Sequence, residues 1–276
     1  MNEFAFTVAV CVYIKDNPIW FEEALESIKN QTLLPDEVLI VTDGPITDDL
    51  EAVISKYKDA FSSYKVVRLE KNVGFGNACQ ACIENSSYNL VARMDSDDIA
   101  AHDRFEKQIN IFKENPDLDM LGGSIGIFVE NINNVVNYSH KPVDNASIKE
   151  LLKKRSPFAH VTMMYKKEKV QKAGGYIEWY CEEDYYLWTR MLNIGCIGAN
   201  VKEPLVYVRT TPEQMGRRGG IKYFQSEVKM QKYLLSSRTI NFIEYCRNVV
   251  LRFIAEIILP PSMRYHLRKT FVWGKK

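Results

Sequence analysis

Glycine-rich phosphate loops are missing from these 276 residues. No G-x-x-x-x-G-K-[ST] occurs, which excludes a P-loop NTPase, and the segment after the first apolar run, Ile14-Lys15-Asp16-Asn17-Pro18, has no glycine. No run reaches the roughly 18 uncharged apolar residues of a spanning helix. The best candidate, Val249 to Leu259, is broken by Arg252 and Glu256. The start, Met1-Asn2-Glu3-Phe4, lacks a basic region, and its apolar run is short and followed by Lys15 and Asp16, so no secretory signal and a cytosolic location are expected. An excess of charge is absent too: 36 Lys+Arg against 35 Asp+Glu leave +1, which argues against a surface that tracks nucleic acid. Cysteine is sparse, at positions 11, 79, 82, 181, 196 and 246, and is expected as reduced thiols in or near the core. Cys79 and Cys82 form a C-x-x-C, but no second pair or nearby His supports a zinc or redox role.

What is present is a core: 46% of residues are apolar and 26% charged, which suits a globular protein. The first hundred residues alternate between two hydrophobic periods. Thr7 to Tyr13 reads as a buried strand, and Trp20, Phe21, Ala24, Leu25 and Ile28 then recur at helical spacing over 18–30, with Pro18 near the start. Glu37 to Val41 is the second strand. Asp48 with Glu51 suggests a capping box ahead of Leu50, Val53, Ile54 and Tyr57. Lys65 to Leu69 is the third strand, Asn77 to Asn85 a helix, and Tyr88 to Met94 the fourth strand. Such alternation predicts an α/β fold whose mostly parallel central sheet is covered by helices on both faces. Ligands of these sheets sit beyond the carboxyl ends of the strands.

Acidic residues stand at those ends. Strand two runs into Thr42-Asp43-Gly44-Pro45, and strand four into Asp95-Ser96-Asp97-Asp98. In an extended segment Asp95 and Asp97 point one way and Asp98 the other. Two hard oxygen donors on one side suit Mg²⁺ or Mn²⁺. The plainer alternative is a solvated turn with Asp98 capping the next helix.

These segments resemble the bacterial family 2 glycosyltransferases of the GT-A fold. The likeness runs through VAVCVY in strand one, Ser27 to Leu34, Asp36-Glu37-Val38, Asp43-Gly44-Pro45, Asn72-Val73-Gly74 and Ala92 to Ile99. It continues through Arg104 to Gln108 and Gly174-Gly175-Tyr176 to Glu183-Asp184-Tyr185-Tyr186-Leu187-Trp188. Arg217-Arg218-Gly219-Gly220 looks like the branch that builds surface and exopolysaccharides. The resemblance implies a UDP-sugar donor. Cys11 and Tyr13 would line base and ribose, mainly through backbone, and Asp43 would accept the uracil imide N–H. Asp95 would lie by the ribose and metal, and Asp97 would ligate a Mn²⁺ or Mg²⁺ ion on the diphosphate. Thr42 stands where the commoner pattern has a second acid. Lys71 is either a nucleotide contact or an ordinary solvated lysine.

For the second half, Glu182, Glu183 and Asp184 at a helix start are favoured by its dipole, so capping alone would account for them. The resemblance adds that Asp184 is the general base on an acceptor hydroxyl, that Glu183 positions the acceptor, and that transfer inverts the anomeric centre. Arg217 and Arg218 could close over the diphosphate. Gly74-Phe75-Gly76 is half of a dinucleotide fingerprint, lacks the third glycine and does not follow strand one.

The expected organisation is therefore a nucleotide-sugar-binding half over 1–100, an acceptor-binding and catalytic half of the same domain over 101–236, and a basic C-terminal helical tail over 237–276. Residues 245–276 carry a net charge of +6, and the remainder −5. Phe242, Ile243, Tyr245, Cys246, Val249, Val250, Phe253 and Ile254, set among Arg247 and Arg252, fit a helix lying on the anionic inner membrane surface. A helix packed on the enzyme or a homodimer contact would also fit. The acceptor implied is a lipid-linked saccharide of surface polysaccharide assembly, with no nucleic acid partner. A sugar nucleotidyltransferase would share the sheet and the Mg²⁺ but calls for a glycine-rich loop after strand one. An inactive nucleotide-sugar-binding subunit is disfavoured by the full set of acids.

Overall fold

The computed structural model describes residues 3–210, 219–260 and 263. Its first half follows the sequence period: β1 (Phe6–Val12), α1 (Pro18–Lys29), β2 (Glu37–Thr42), α2 (Asp48–Lys56), β3 (Tyr64–Arg68), α3 (Phe75–Asn85) and β4 (Leu90–Asp95). β1 lies between β2 and β4, parallel to both, with Cys11 opposite Val41 on one side and Asp95 on the other. The second half adds β5 (Ile99–Ala100), α4 (Arg104–Glu114), β6 (Met120–Phe128), β7 (Val135–Ser139), α5 (Asn145–Leu152), β8 (Met164–Lys166), α6 (Lys167–Lys172), α7 (Glu183–Asn193) and β9 (Gly198–Arg209). Among the described residues, the nine strands join one sheet in the order β3-β2-β1-β4-β8-β6-β9-β5, with β7 on β6. It is parallel from β3 to β4 and mixed beyond, because β8 pairs antiparallel with both β4 and β6.

Alternation within buried strands sorts the two faces of the sheet. Val8, Val10, Val12, Val38 and Ile40 meet Phe21, Leu25 and Ile28 of α1, Leu50, Val53 and Ile54 of α2, and Phe105 and Ile109 of α4. Ala9, Cys11, Leu39 and Val41 face Ala78, Cys79, Cys82 and Ile83 of α3 and, with Val91, join Tyr185, Leu187 and Trp188 of α7 in one cluster. Burying a large apolar side chain contributes about 1.5–3 kcal/mol. With both faces covered, the polar groups just past the strand ends are placed to line a site.

Three local readings change. The cap of α2 is Thr47, whose Oγ1 accepts from Leu50 N at 3.4 Å, and Asp48 is the first helical residue. α3 starts at Phe75 rather than Asn77, from Gly74 at φ +93°. Asp98 does not cap a helix: it is buried and accepts from the Arg209 backbone N–H at 3.0 Å.

The tail differs more. After α8 (Ile221–Ser236) comes α9 (Phe242–Phe253), running into a π-helical turn, Ile254–Ile258. Its inward column is polar: Asn248 donates to Lys153 O and Gln231 Oε1, and Arg252 pairs with Glu227 and reaches Glu256 and Lys154 O. Arg252 therefore faces the body rather than a leaflet. The outward face is apolar, with Phe242 67%, Ile243 80% and Leu251 58% exposed. Among the described residues, no helix is long and apolar enough to cross a membrane.

Candidate active site

The parallel half of the sheet delivers Asp95 as the last residue of β4, and the turn after it carries Ser96, Asp97 and Asp98 into β5. Two buried arginines hold this turn. Arg93 Nη2 donates to Asp95 Oδ1 at 2.7 Å, while its Nη1 donates to Met94 O at 2.7 Å. Arg209 Nε donates to Asp97 O at 3.2 Å, and its guanidinium stacks on Trp20 and Phe128 and pairs with Glu23. Asp95 and Asp97 remain half-buried. Burial raises the Asp95 carboxyl while Arg93 draws it down, and burial with the nearby Asp97 and Asp95 charges holds Asp98 well above the usual range.

A fourth acid completes the cluster, and nothing in the sequence pattern marked it. Asp16 Oδ2 accepts from Tyr13 N at 3.0 Å and Ser96 Oγ at 2.8 Å, which ties the β1–α1 turn to the acidic turn. Burial pushes Asp16 up to about 6 against those two hydrogen bonds, and Asp97 and Asp95 push the same way as burial. Four carboxylates packed this closely are costly even beside Arg93 and Arg209, and a bound cation would offset part of that cost. Among the described residues, no three His, Cys, Asp or Glu side chains cage an ion by themselves. Two carboxylates from one turn fit Mg²⁺ or Mn²⁺ that takes its other oxygens from phosphates and water.

Asp43 sits just past β2. Its Oδ1 accepts from Val73 N at 2.7 Å and its Oδ2 from Asn72 Nδ2 at 2.9 Å, so it anchors the loop before α3 and keeps a lone pair on each oxygen. Gly44 makes that approach possible. At φ +84°, a Cβ there would lie 2.6 Å from Asn72 N and 2.8 Å from the Lys71 carbonyl carbon. Gly44→Ala should therefore cost roughly 2–4 kcal/mol from the left-handed backbone and the clash. A thermal melt should show Tm lower by roughly 5–10 °C; an unchanged Tm would mean the loop shifts freely. Lys71 is exposed on this loop. Tyr13 is half-buried at the β1 end, and the Cys11 side chain faces α3, with its Sγ 3.4 Å from Cys82 Sγ.

The half-fingerprint at Gly74 is filled by the protein itself. Glu178 Oε2 accepts from Gly76 N at 2.8 Å, placing a carboxylate where a phosphate would sit at the start of α3.

Glu183 and Asp184 open α7, both half-buried. Asp184 Oδ1 accepts from Tyr185 N at 2.7 Å, and Ser156 Oγ lies 3.4 Å from its Oδ2. Glu182, the residue before the helix, is buried; burial and the Glu227 charge raise its carboxyl, and Arg252 offsets them. One turn on from Asp184, Trp188 shares its helix face. Trp188 packs on His160 at 5.9 Å, His160 on Phe75 at 5.6 Å, and Arg93 lies 5.0 Å over the Phe75 ring. Asp43, through Val73 and the Phe75 turn, and Asp95, through Arg93, thus belong to the same packed frame as Asp184. His160 is the link, and no motif in the sequence marks it. It shares a 2.9 Å hydrogen bond with Tyr176 Oη, and burial, then Arg93, pushes its imidazole well below the usual range. Arg217 and Arg218 lie outside the described residues, as do the tail's Arg264, Arg268, Lys269, Phe271, Trp273, Lys275 and Lys276.

A family model described as "Glycosyl transferase family 2" matches residues 7–174. An Escherichia coli protein named UDP-Gal:alpha-D-GlcNAc-diphosphoundecaprenol beta-1,3-galactosyltransferase is 36% identical over 267 residues, covering 97% of this chain and 96% of that one. The amylovoran biosynthesis glycosyltransferase AmsE of Erwinia amylovora is 33% identical, over 96% of this chain and 98% of its own. The crystal structure of S. aureus TarS 1–349 in complex with UDP-GlcNAc shares the fold with a TM-score of 0.66 at 18% identity, covering 91% of this chain and 73% of that one.

Proposed function

The chain belongs to glycosyl transferase family 2, and from that premise we propose that it moves a sugar from a UDP-sugar to a hydroxyl of a lipid-linked saccharide in bacterial surface polysaccharide assembly, with inversion. The observation that carries this reading is the acidic turn at the end of β4, bridged by Asp16 and backed by Arg93 and Arg209. The E. coli relative's name, with its UDP-linked donor and diphosphoundecaprenol-linked acceptor, supports both substrate classes.

Each residue then has a task. Asp43 offers its remaining lone pairs to the uracil imide N–H, beside Tyr13 and the end of β1. Cys11 contributes through the strand backbone alone, since its side chain points at α3. Lys71 stands on the loop that Asp43 orders, open to the nucleotide. Asp97, with Asp95, would hold Mn²⁺ or Mg²⁺ on the diphosphate, where the ion would supply charge stabilisation to the leaving group. Asp184 takes the acceptor proton as that oxygen attacks the anomeric carbon from the face away from the diphosphate. Glu183 orients the acceptor, and Arg217 and Arg218 supply positive charge to the phosphates.

The deciding experiment incubates the protein with Mn²⁺ and each UDP-sugar, with and without a polyprenyl-diphosphate-linked acceptor. Acceptor-dependent UDP release with one donor is the expected result. Binding without UDP release for every pair would leave a nucleotide-sugar-binding subunit instead.

The outward apolar face of α9 supports attachment at the cytoplasmic membrane face. The 16 residues after Pro260 hold five Lys or Arg and no acid, which suits an anionic headgroup layer. Ile243→Asp with Leu251→Asp changes exposed positions only. The pair should weaken sedimentation with anionic vesicles by at least about tenfold at low salt and leave the melting temperature in place. A full-length protein that stays unbound by such vesicles would defeat the attachment.

A further inference from the structure

The C-x-x-C of α3 has no place in the chemistry above, yet it is not isolated. Cys82 Sγ lies 3.4 Å from Cys11 Sγ, across the packing of β1 on α3, and Cys79 borders the same thiol. All three residues are buried, at 8% exposure for Cys11 against 1% for Cys79 and 2% for Cys82. Cys11 is also the strand partner of Asp95. We infer that Cys11 and Cys82 are a peroxide-sensitive thiol pair whose disulfide switches off the nucleotide end of the sheet.

The geometry permits the bond. A disulfide needs sulfurs about 2.05 Å apart, so 3.4 Å closes with small side-chain rotations on two elements already in contact. The first step falls to Cys11, the residue of the three with the largest exposure and the one at the nucleotide end of the sheet. Its sulfur attacks the O–O bond of a hydroperoxide and becomes a sulfenic acid, and the peroxide's other oxygen leaves as water or alcohol. Cys82 Sγ then attacks that sulfur. The S–S bond forms, the S–O bond breaks, and the thiol proton leaves with the oxygen as a second water. Two thiols lose two electrons in all, and the peroxide gains them. A helix residue now pulls on β1 at the position opposite Asp95, where a shift of about 1 Å is enough to impair donor binding.

The loss of activity rests on the glycosyltransferase reading; the covalent link does not. The test treats full-length protein carrying Cys181→Ser and Cys246→Ser, which removes the two exposed thiols, with hydrogen peroxide. Peptide mapping should recover a Cys11–Cys82 crosslink that dithiothreitol reverses, that Cys82→Ala abolishes and that Cys79→Ala leaves in place. UDP release should fall by roughly ten- to hundredfold on oxidation and return on reduction, while Cys82→Ala keeps full activity throughout. Absence of a crosslink, or one joining Cys79 instead, overturns the pair. A crosslink with unchanged UDP release overturns the switch. Untreated protein that releases no UDP indicts the glycosyltransferase reading alone, and the disulfide is then judged by mapping and by loss of Mn²⁺-dependent UDP binding.

Discussion

Asp184→Asn is expected to reduce sugar transfer by about 10³-fold while UDP-sugar affinity stays within about twofold. In the proposed mechanism this carboxylate takes one proton. Its Oδ1 accepts the Tyr185 N–H at 2.7 Å and its Oδ2 accepts from Ser156 Oγ at 3.4 Å, and in the proposed reaction Oδ2 is the oxygen that takes the acceptor proton. An amide keeps the first bond and the helix start but presents N–H where a proton acceptor is needed. The competing explanation, that Asp184 merely steadies the helix dipole, predicts a loss of at most about 1 kcal/mol of stability and normal turnover. Steady-state kinetics with a thermal melt separates the two. Full activity in the variant would remove Asp184 as the base and move attention to Glu183 beside it.

Strand and helix placement was legible because these elements obey one rule over many residues. The even positions of β1, Val8 to Val12, go to one core and Ala9 and Cys11 to the other, as a strand buried on both faces requires. Ends were less legible, since they turn on single contacts. Thr47 and Asp48 are both good caps, and only the fold decides that the Thr47 hydroxyl faces Leu50 N. The acidic turn was visible because a carboxylate run straight after a buried strand is rare and costly. Its supports were not. Arg93 reads as a charge inside a strand, Arg209 comes 112 positions after Asp97, and Asp16 joins only because the β1–α1 turn folds back onto Ser96.

The tail shows the limit of periodicity. An amphipathic pattern states that two faces differ, not which one meets the protein. In α9 and the turn that follows it, the minority polar column, Asn248, Arg252 and Glu256, meets Gln231, Glu227 and two backbone carbonyls, and those contacts mark the inward face. The apolar majority was left outward. The same contacts set Arg252 and Glu227 beside Glu182, directly ahead of Glu183 and Asp184, so the tail helix braces the start of α7.

Asp97→Ala should separate stability from function with opposite signs. Other groups hold the backbone of the turn: Arg209 Nε donates to the Asp97 carbonyl at 3.2 Å, and Asp98 Oδ1 accepts from the Arg209 N–H at 3.0 Å. Removing the carboxylate also removes a charge that pushes up both Asp16 and Asp98. The metal-free variant should thus melt at the same temperature as the parent or slightly higher. Mn²⁺-dependent UDP affinity should fall by roughly 10–100-fold, because one of the two half-exposed carboxylates that would hold the ion is gone. Calorimetry with UDP, with and without Mn²⁺, reads the second effect and a melt the first. Asp98→Ala makes the contrast: it leaves the Arg209 N–H buried without its acceptor, so it should lower stability and affinity together. Intact Mn²⁺-dependent affinity in the Asp97 variant would place the ion elsewhere, and a lowered melting temperature would mean that the side chain holds the turn after all.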